Sequence, residues 1–157
     1  MKIVLIILLV LVIMLIAFGL SEQYADKFDL YNNLKMFLNQ FKLNLNFKQD
    51  KILDFLNKVK SKKQFKIFIT AFENYIKTGI VDLHELKVVD SEEINELTDI
   101  IQNVGKLDLS SENKQLEIFI ERVDIRLNKA KEDKQKLCPM IIKLSLLFAI
   151  GLAILLI

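Results

Sequence analysis

The two ends of this 157-residue chain are apolar runs, and they constrain its fold more than any other feature. Residues 144–157 contain no charged side chain and no Asn or Gln. Residues 3–20 are eighteen uncharged residues, and as a helix they would span about 27 Å, close to the ~30 Å hydrocarbon core of a bilayer. Lipid is the natural solvent for such runs. The sequence therefore predicts a polar middle between two transmembrane helices, residues 1–20 and 138–157.

Each apolar run has an alternative interpretation. The first could be a cleaved signal peptide, because Ala17 and Gly19 satisfy a small-residue cleavage rule, although signal cores are usually only ~7–15 residues long. The second reaches about 30 Å only if it starts at Cys138 and includes Lys143. The long stem of that lysine can return its ammonium to the headgroups. A re-entrant hairpin helix is the alternative for the second run.

The composition of the middle segment predicts one small all-α domain over residues 21–137. The whole chain has only four Gly and one Pro, so breakers of helices are scarce. Residues 21–143 carry 21 Lys and Arg against 20 Asp and Glu. This near-neutral balance argues against a nucleic-acid partner, since proteins that bind nucleic acids usually present a strongly basic face. A single cysteine excludes an intrachain disulfide. We therefore expect a helical bundle domain between the two membrane helices.

The first half of the middle predicts three helices. One continues from the first membrane span to about residue 46 and ends in a turn at residues 44–50. A second follows it, and a third begins at Ser61 as N-cap and ends at Gly79. Their apolar faces are, in order, Leu30, Leu34, Phe37, Leu38, Phe41 and Leu45; Ile52, Leu53, Phe55, Leu56 and Val59; and Phe65, Phe68, Ile69, Phe72 and Ile76. The phenylalanines are interpreted as packing residues, not as a cofactor site.

The second half predicts two further helices. Residues 80–89 are either a short helix or a packed loop. Asp90 and Glu93 have the spacing of a capping box, and Gly105 ends the helix that they begin, with Ser110 as the cap of the next one. The buried faces of the two helices are Ile94, Leu97, Ile100, Ile101 and Val104, and Leu116, Phe119, Ile120, Val123, Leu127 and Ala130.

The segment that joins the last helix to the second apolar run is charged. Residues 128–136 predict either a solvated stalk or a helix that pairs with the first one. Pro139 predicts a kink or a restart near Cys138, because proline removes a helical hydrogen bond. Basic residues before the last span predict a cytoplasmic domain with both termini on the opposite side. They are Arg122, Arg126, Lys129, Lys131, Lys134, Lys136 and Lys143.

The sequence contains no recognisable catalytic, cofactor or metal site. It has no phosphate-binding glycine loop and only one histidine, His84, so we expect no enzymatic activity and no cofactor. The candidate partner-binding residues are five lysines, which we expect opposite the membrane end if the first two helices pair as a hairpin. They are Lys58, Lys60, Lys62, Lys63 and Lys66. Such a cluster could dock an acidic partner or anionic lipid headgroups, or it could be an ordinary solvated loop.

The last third of the chain resembles the stage III sporulation protein AB family. Val104-Gly105 ends a helix, Asp108 lies in the following turn, residues 128–136 form the charged stalk, and residues 153–157 read AILLI. The order of elements is similar over the whole chain. Leu107 departs from the serine usual in the family turn, and Glu112 departs from a common glutamine.

This resemblance implies a role without catalysis. It implies a multi-pass subunit of the sporulation channel in the mother-cell membrane facing the forespore, similar to the F-type platform proteins of type II secretion and type IV pili. The implied partners are a cytoplasmic ATPase and other channel subunits, with lipid around the spans and self-association left open. The alternative hypothesis is an unrelated membrane-anchored scaffold or sensor whose helical domain is extracytoplasmic.

Overall fold

A computed structural model describes residues 2–47 and 63–156 of the chain. Within these ranges all regular secondary structure is α-helical, and the remaining residues form turns and loops. The helices are α1 (Lys2–Phe47), α2 (Lys63–Thr78), α3 (Ser91–Asn103) and α4 (Leu109–Leu156). The all-α prediction is therefore confirmed. The predicted second helix, with Ile52 and Phe55, and the predicted cap Ser61 lie outside the described residues.

The two long helices, α1 and α4, pack against each other in antiparallel orientation. Three contacts fix their register: Cys138 Sγ lies 3.4 Å from the Ser21 carbonyl oxygen, the Lys35 ammonium lies 2.5 Å from the Asp124 carboxylate, and the Lys42 ammonium lies 2.7 Å from the Glu117 carboxylate. In each pair the residue numbers add to 159. Residues 128–136 therefore lie alongside α1, as one of the two interpretations of this segment predicted.

The same register places the apolar end of α1 beside the apolar end of α4. Leu20 is level with Pro139, and both helices are long and apolar enough to cross a membrane. The prediction that α1 continues beyond its apolar run is confirmed. Pro139 lies inside α4, which runs on to Leu156, so the helix does not restart at this residue.

The core of the domain is built around Phe37 of α1. Its ring centroid lies 6.0 Å from that of Phe65, 6.3 Å from Phe68 and 6.2 Å from Phe72, all of α2. These rings meet edge to face, a favourable geometry for aromatic pairs. Four of the five predicted stripe residues of α2 are buried, but the prediction is wrong for Ile76, which is exposed. It lies in the last turn of α2.

The directions of the shorter helices follow from polar contacts. At the start of α2, Gln64 Nε2 donates to Asp26 Oδ2 at 3.2 Å, whereas Tyr75, near its end, is contacted by the Lys106 ammonium from the loop before α4. Helix α2 therefore runs in the same direction as α1. Residues 79–90 then return along it as a loop rather than a helix, with Leu83 and Leu86 buried.

The ends of α2 and α3 match the sequence predictions. Gly79 and Gly105 both have positive φ angles, 75° and 84°, a conformation that glycine adopts without the strain of a side chain. The capping box is confirmed: Glu93 N donates to Asp90 Oδ1 and Asp90 N donates to Glu93 Oε2, each at 2.9 Å.

The predicted cap of α4 is wrong. The helix begins at Leu109, one residue before Ser110. Asp108 takes the capping position instead, and its carboxylate accepts the backbone N–H of Ser111 at 3.2 Å. Aspartate and serine are about equally good N-caps, so residue type alone could not decide between them.

Candidate functional site

Many charged side chains of the described ranges pair with one another. In these ranges no three His, Cys, Asp or Glu side chains converge to hold a metal ion. His84 is exposed, and its backbone N–H donates to Asp82 Oδ1 at 3.0 Å in a local turn. The exposed surfaces of the domain are the candidate sites for interaction.

The centre of the domain holds a buried carboxylate. Glu93 is only 2% exposed, and the Lys27 ammonium lies 2.7 Å from it. Burial raises the pKa of the neighbouring Tyr31 phenol, and the Glu93 carboxylate raises it further. Because a buried carboxylate without its partner is costly, this pair ties the start of α3 to α1.

Helix α3 is held to α4 by a second ion-pair cluster. Arg126 donates to both carboxylate oxygens of Glu96, at 2.5 and 3.0 Å, and to Glu92 at 3.0 Å. The hydrogen bond to Glu96 is the largest of the effects that raise the pKa of Arg126. One turn away, Arg122 lies 3.5 Å from Asp99. These contacts fix α3 against α4 and so fix the loop between them.

That loop forms what we call the far end of the domain: Ile80 together with residues 105–109, at the opposite end from the apolar runs. Its apolar side chains are exposed, with Ile80 68%, Leu107 50% and Leu109 48% accessible. The loop is nevertheless held firmly, because the buried Glu112 accepts the backbone N–H of Gly105 at 2.7 Å and of Leu107 at 3.2 Å. The far end is thus an ordered, exposed apolar surface.

The role of Glu112 was not predicted from the sequence, where this residue stands out only as a departure from a family glutamine. The available signal was its place in the first turn of α4, where a carboxylate can accept orphan backbone N–H groups. Here those donors belong to the preceding loop, and the sequence alone gives no way to predict that return of the chain.

The predicted lysine site is only partly described. Lys63 and Lys66 lie in the first turn of α2 and are exposed, while Lys58, Lys60 and Lys62 lie outside the described residues. The expectation that the segment lies opposite the apolar end is wrong at Lys63. Because α2 runs parallel to α1, its first residue lies near Gly19, at the last turn of the apolar run.

We call the surface around Lys63 the base cleft. It has a volume of about 170 Å³ and is lined by Gly19, Glu22 and Asp26 of α1, by Lys63 of α2 and by Lys87 of the returning loop. Opposite charges thus face each other across the cleft at the level where the apolar runs begin. The domain therefore presents two distinct surfaces, an apolar far end and a charged base cleft.

The chain matches the model of a known protein family. The family model described as stage III sporulation protein AB matches residues 2–157, essentially the whole chain. No curated protein and no solved structure matches it. The match covers both apolar helices and the domain between them.

Proposed function

The chain belongs to the stage III sporulation protein AB family, and on this premise we propose that it is a non-enzymatic platform subunit of the sporulation channel between mother cell and forespore. In this proposal the apolar ends of α1 and α4 cross the mother-cell membrane facing the forespore. The domain lies in the cytoplasm and couples a cytoplasmic ATPase to the membrane assembly. The family match carries the sporulation role; the geometry below supports the platform role.

The observation that most favours a platform is the continuity of α1 and α4. Each helix runs without interruption from its apolar segment into the domain. From residue 21 to residue 46, α1 rises about 38 Å beyond the apolar run. In this proposal the paired helices transmit displacement between the membrane and a partner bound at the far end. The far end is therefore our preferred contact for the ATPase.

The topology is tested with a reporter inserted after Lys77, near the exposed end of α2. The proposal expects the reporter to be active as a cytoplasmic enzyme, because the basic residues of α4 precede its apolar run. Activity only outside the membrane would reject the cytoplasmic placement. It would favour the alternative hypothesis of an anchored scaffold or sensor with an extracytoplasmic domain.

The ATPase contact is tested by co-purification of the co-expressed ATPase from detergent extracts. We expect Leu107→Asp with Leu109→Asp to reduce its recovery at least tenfold, since exposed apolar anchors dominate many interfaces. The matched control is Ile118→Asp with Ile125→Asp, two isoleucines on the side of α4 that are at least as exposed, at 49% and 64%. This control should retain the ATPase.

The lysine segment is the competing contact, because a basic cluster attracts an acidic partner over a Debye length of roughly 8 Å. The variant Lys60→Glu, Lys62→Glu, Lys66→Glu leaves Lys63 in the base cleft unchanged. If it loses the ATPase while the far-end variant retains it, the contact lies on the lysine segment. Full recovery with both variants would reject ATPase coupling through either surface.

A further inference from the structure

The base cleft lies at the level where the apolar runs begin and is lined by both lysines and carboxylates. This combination indicates a ligand. Its lysines, Lys63 and Lys87, come from α2 and the returning loop, and its carboxylates, Glu22 and Asp26, come from the wall formed by α1. Neither lysine lies within 4 Å of a carboxylate among the residues that the structure describes. The cleft therefore keeps opposite charges apart across an open space, where a molecule with complementary charges could bind between them.

Two other lysines near this level have contacts elsewhere. Lys27 is paired with the buried Glu93, and the Lys134 ammonium lies 4.5 Å from the centroid of the Phe28 ring. In the carboxylate wall, Asp26 accepts from Gln64 at 3.2 Å, which fixes its position and leaves further lone pairs available. Lys63, Lys87 and Glu22 of the base cleft thus form no ion pair among the described residues.

The distance of the cleft from the hydrocarbon core of the membrane indicates that the ligand is a lipid headgroup. This step rests on the membrane placement of the proposed function. If residues 3–20 cross the hydrocarbon core, the segment from Leu20 to Asp26 extends about 9 Å beyond it. The headgroup layer is roughly 5–8 Å thick on each side. The cleft, which is lined by residues from Gly19 to Asp26, therefore opens where phospholipid headgroups lie.

We propose that the base cleft binds the headgroup of a phospholipid carrying a primary ammonium, phosphatidylethanolamine. Its phosphate would lie between Lys63 and Lys87, and its ammonium would donate to Glu22 and Asp26. Phosphatidylcholine has the same net charge but no N–H donor, so it cannot hydrogen-bond to the carboxylates. An anionic headgroup would satisfy the lysines and be repelled by the opposite wall. The mixed charge of the cleft thus selects the aminophospholipid.

The test uses the full-length protein in a neutral detergent. Dioctanoyl phosphatidylethanolamine, phosphatidylcholine and phosphatidylglycerol are titrated separately, with free phosphoethanolamine as the soluble source of the same headgroup. Binding is measured by native mass spectrometry, and circular dichroism at 222 nm checks that each variant is folded. We expect phosphatidylethanolamine to bind about tenfold tighter than phosphatidylcholine, which corresponds to one to two good hydrogen bonds.

Variants assign the two walls. Lys63→Gln with Lys87→Gln should weaken phosphatidylethanolamine binding about tenfold, and Lys63→Arg with Lys87→Arg should restore it. Glu22→Gln with Asp26→Asn should bring the preference over phosphatidylcholine below about twofold. The matched control Lys77→Gln with Lys114→Gln removes two exposed lysines far from the cleft and should bind like the wild type.

Three results would overturn the proposal. Equal binding of phosphatidylethanolamine and phosphatidylcholine would show that the ammonium is not recognised. Tightest binding of phosphatidylglycerol would make the cleft a site for an anionic phosphate alone. Free phosphoethanolamine binding as tightly as the lipid would identify a soluble ligand. These outcomes are independent of the topology reporter and of ATPase recovery, so failure here is distinguishable from failure of the proposed function.

Discussion

Within the same two helices, the domain segments and the apolar ends bury their side chains in opposite ways. In the domain, Leu34 and Leu38 of α1 are fully buried. At the apolar ends, Leu8 and Leu147 are 60% and 65% exposed, and the fully buried side chains among those described there are the alanines Ala17 and Ala149. Large side chains thus face inward where the solvent is water and outward where we propose lipid. Small residues at helix contacts are typical of membrane packing.

The two regions also differ in what fixes their register. In the domain, ion pairs border the contact between α1 and α4, and the buried pair of Lys27 and Glu93 adds a specific tie to α3. The apolar segments, residues 3–20 and 139–156, contain one charged residue, Lys143. These segments must therefore pack through the shape complementarity of their apolar side chains. Their register relative to each other is set by the ion pairs of the domain. This difference makes the domain sensitive to single substitutions that the apolar ends should tolerate.

The largest effect should come from Phe68→Asp. Phe68 is fully buried and packs on Phe37 and Phe72. The variant loses a core aromatic, worth about 3–5 kcal/mol, and buries a carboxylate without a partner. The total stability of a domain is typically only about 5–15 kcal/mol. We expect loss of cooperative thermal unfolding in detergent, monitored by circular dichroism at 222 nm.

The apolar ends supply the contrasting variant. Leu147→Asp should leave the unfolding of the domain unchanged, because this side chain is exposed and lies outside the domain. It should instead reduce membrane insertion, since an aspartate near the bilayer centre costs about 2.5–3.5 kcal/mol on insertion scales. Insertion is measured by carbonate extraction of membranes. A domain destabilised by Leu147→Asp as strongly as by Phe68→Asp would remove the distinction between the two regions.

The second largest effect should come from Lys27→Met. This change leaves Glu93 buried without its cation, and we expect about 3 kcal/mol of destabilisation in urea unfolding. Glu93→Gln in the same chain should recover at least half of it, because the amide needs no counter-ion. A double-mutant cycle with the two single variants gives the coupling. Coupling near zero would mean that the pair contributes nothing to the attachment of α3.

Much of this fold could be predicted because its signals are local. The spacing of apolar residues predicts the helices and most of their buried faces, and the capping box and glycines define their ends. Where two local signals are equally good, the prediction fails, as with Ser110 and Asp108 at the start of α4. The exposed Ile76 shows the same limit, since periodicity continues to the end of a helix and burial does not.

The position of the surfaces could not be predicted, because it depends on contacts between distant residues. A stripe of apolar residues at helical spacing shows which face of a helix is buried, but it does not show the direction in which the helix runs relative to its neighbours. The parallel direction of α2, which places Lys63 beside Gly19, follows from contacts such as Gln64 with Asp26, 38 positions apart. The tie between Lys27 and Glu93 joins residues 66 positions apart. A single sequence carries no signal for such pairs.

A smaller effect should come from Asp90→Ala. The substitution removes the acceptor for the backbone N–H of Glu93, and loss of an N-cap typically costs about 1 kcal/mol. Urea unfolding measured at neutral pH checks this value. Ser110→Ala is the matched control, because this residue lies inside α4 and does not occupy its capping position. Equal losses in both variants would contradict the cap assignment.

The smallest effect should be a dependence of domain stability on acid pH. Among the described residues three carboxyls have lowered pKa values: Asp90 through the backbone N–H of Glu93, Asp108 through the side chain and backbone of Ser111, and Glu117 through its hydrogen bond with Lys42. A lowered folded-state pKa means that the unfolded chain binds more protons in acid. The contribution is therefore complete above the ordinary carboxyl pKa of about 4 and is lost as the pH falls through the folded-state values.

The unfolding temperature of the domain should accordingly fall between about pH 5 and pH 3. Residues 3–20 and 139–156 contain no carboxylate side chain, so the helical signal of the apolar ends should persist after the domain has unfolded. In Asp90→Asn the amide can still cap α3 but does not titrate. This variant should match the wild type at neutral pH and show a shallower acid slope. An unchanged slope would mean that Asp90 contributes nothing to the acid sensitivity, and a parallel acid loss of the apolar helices would show that the two regions do not unfold separately.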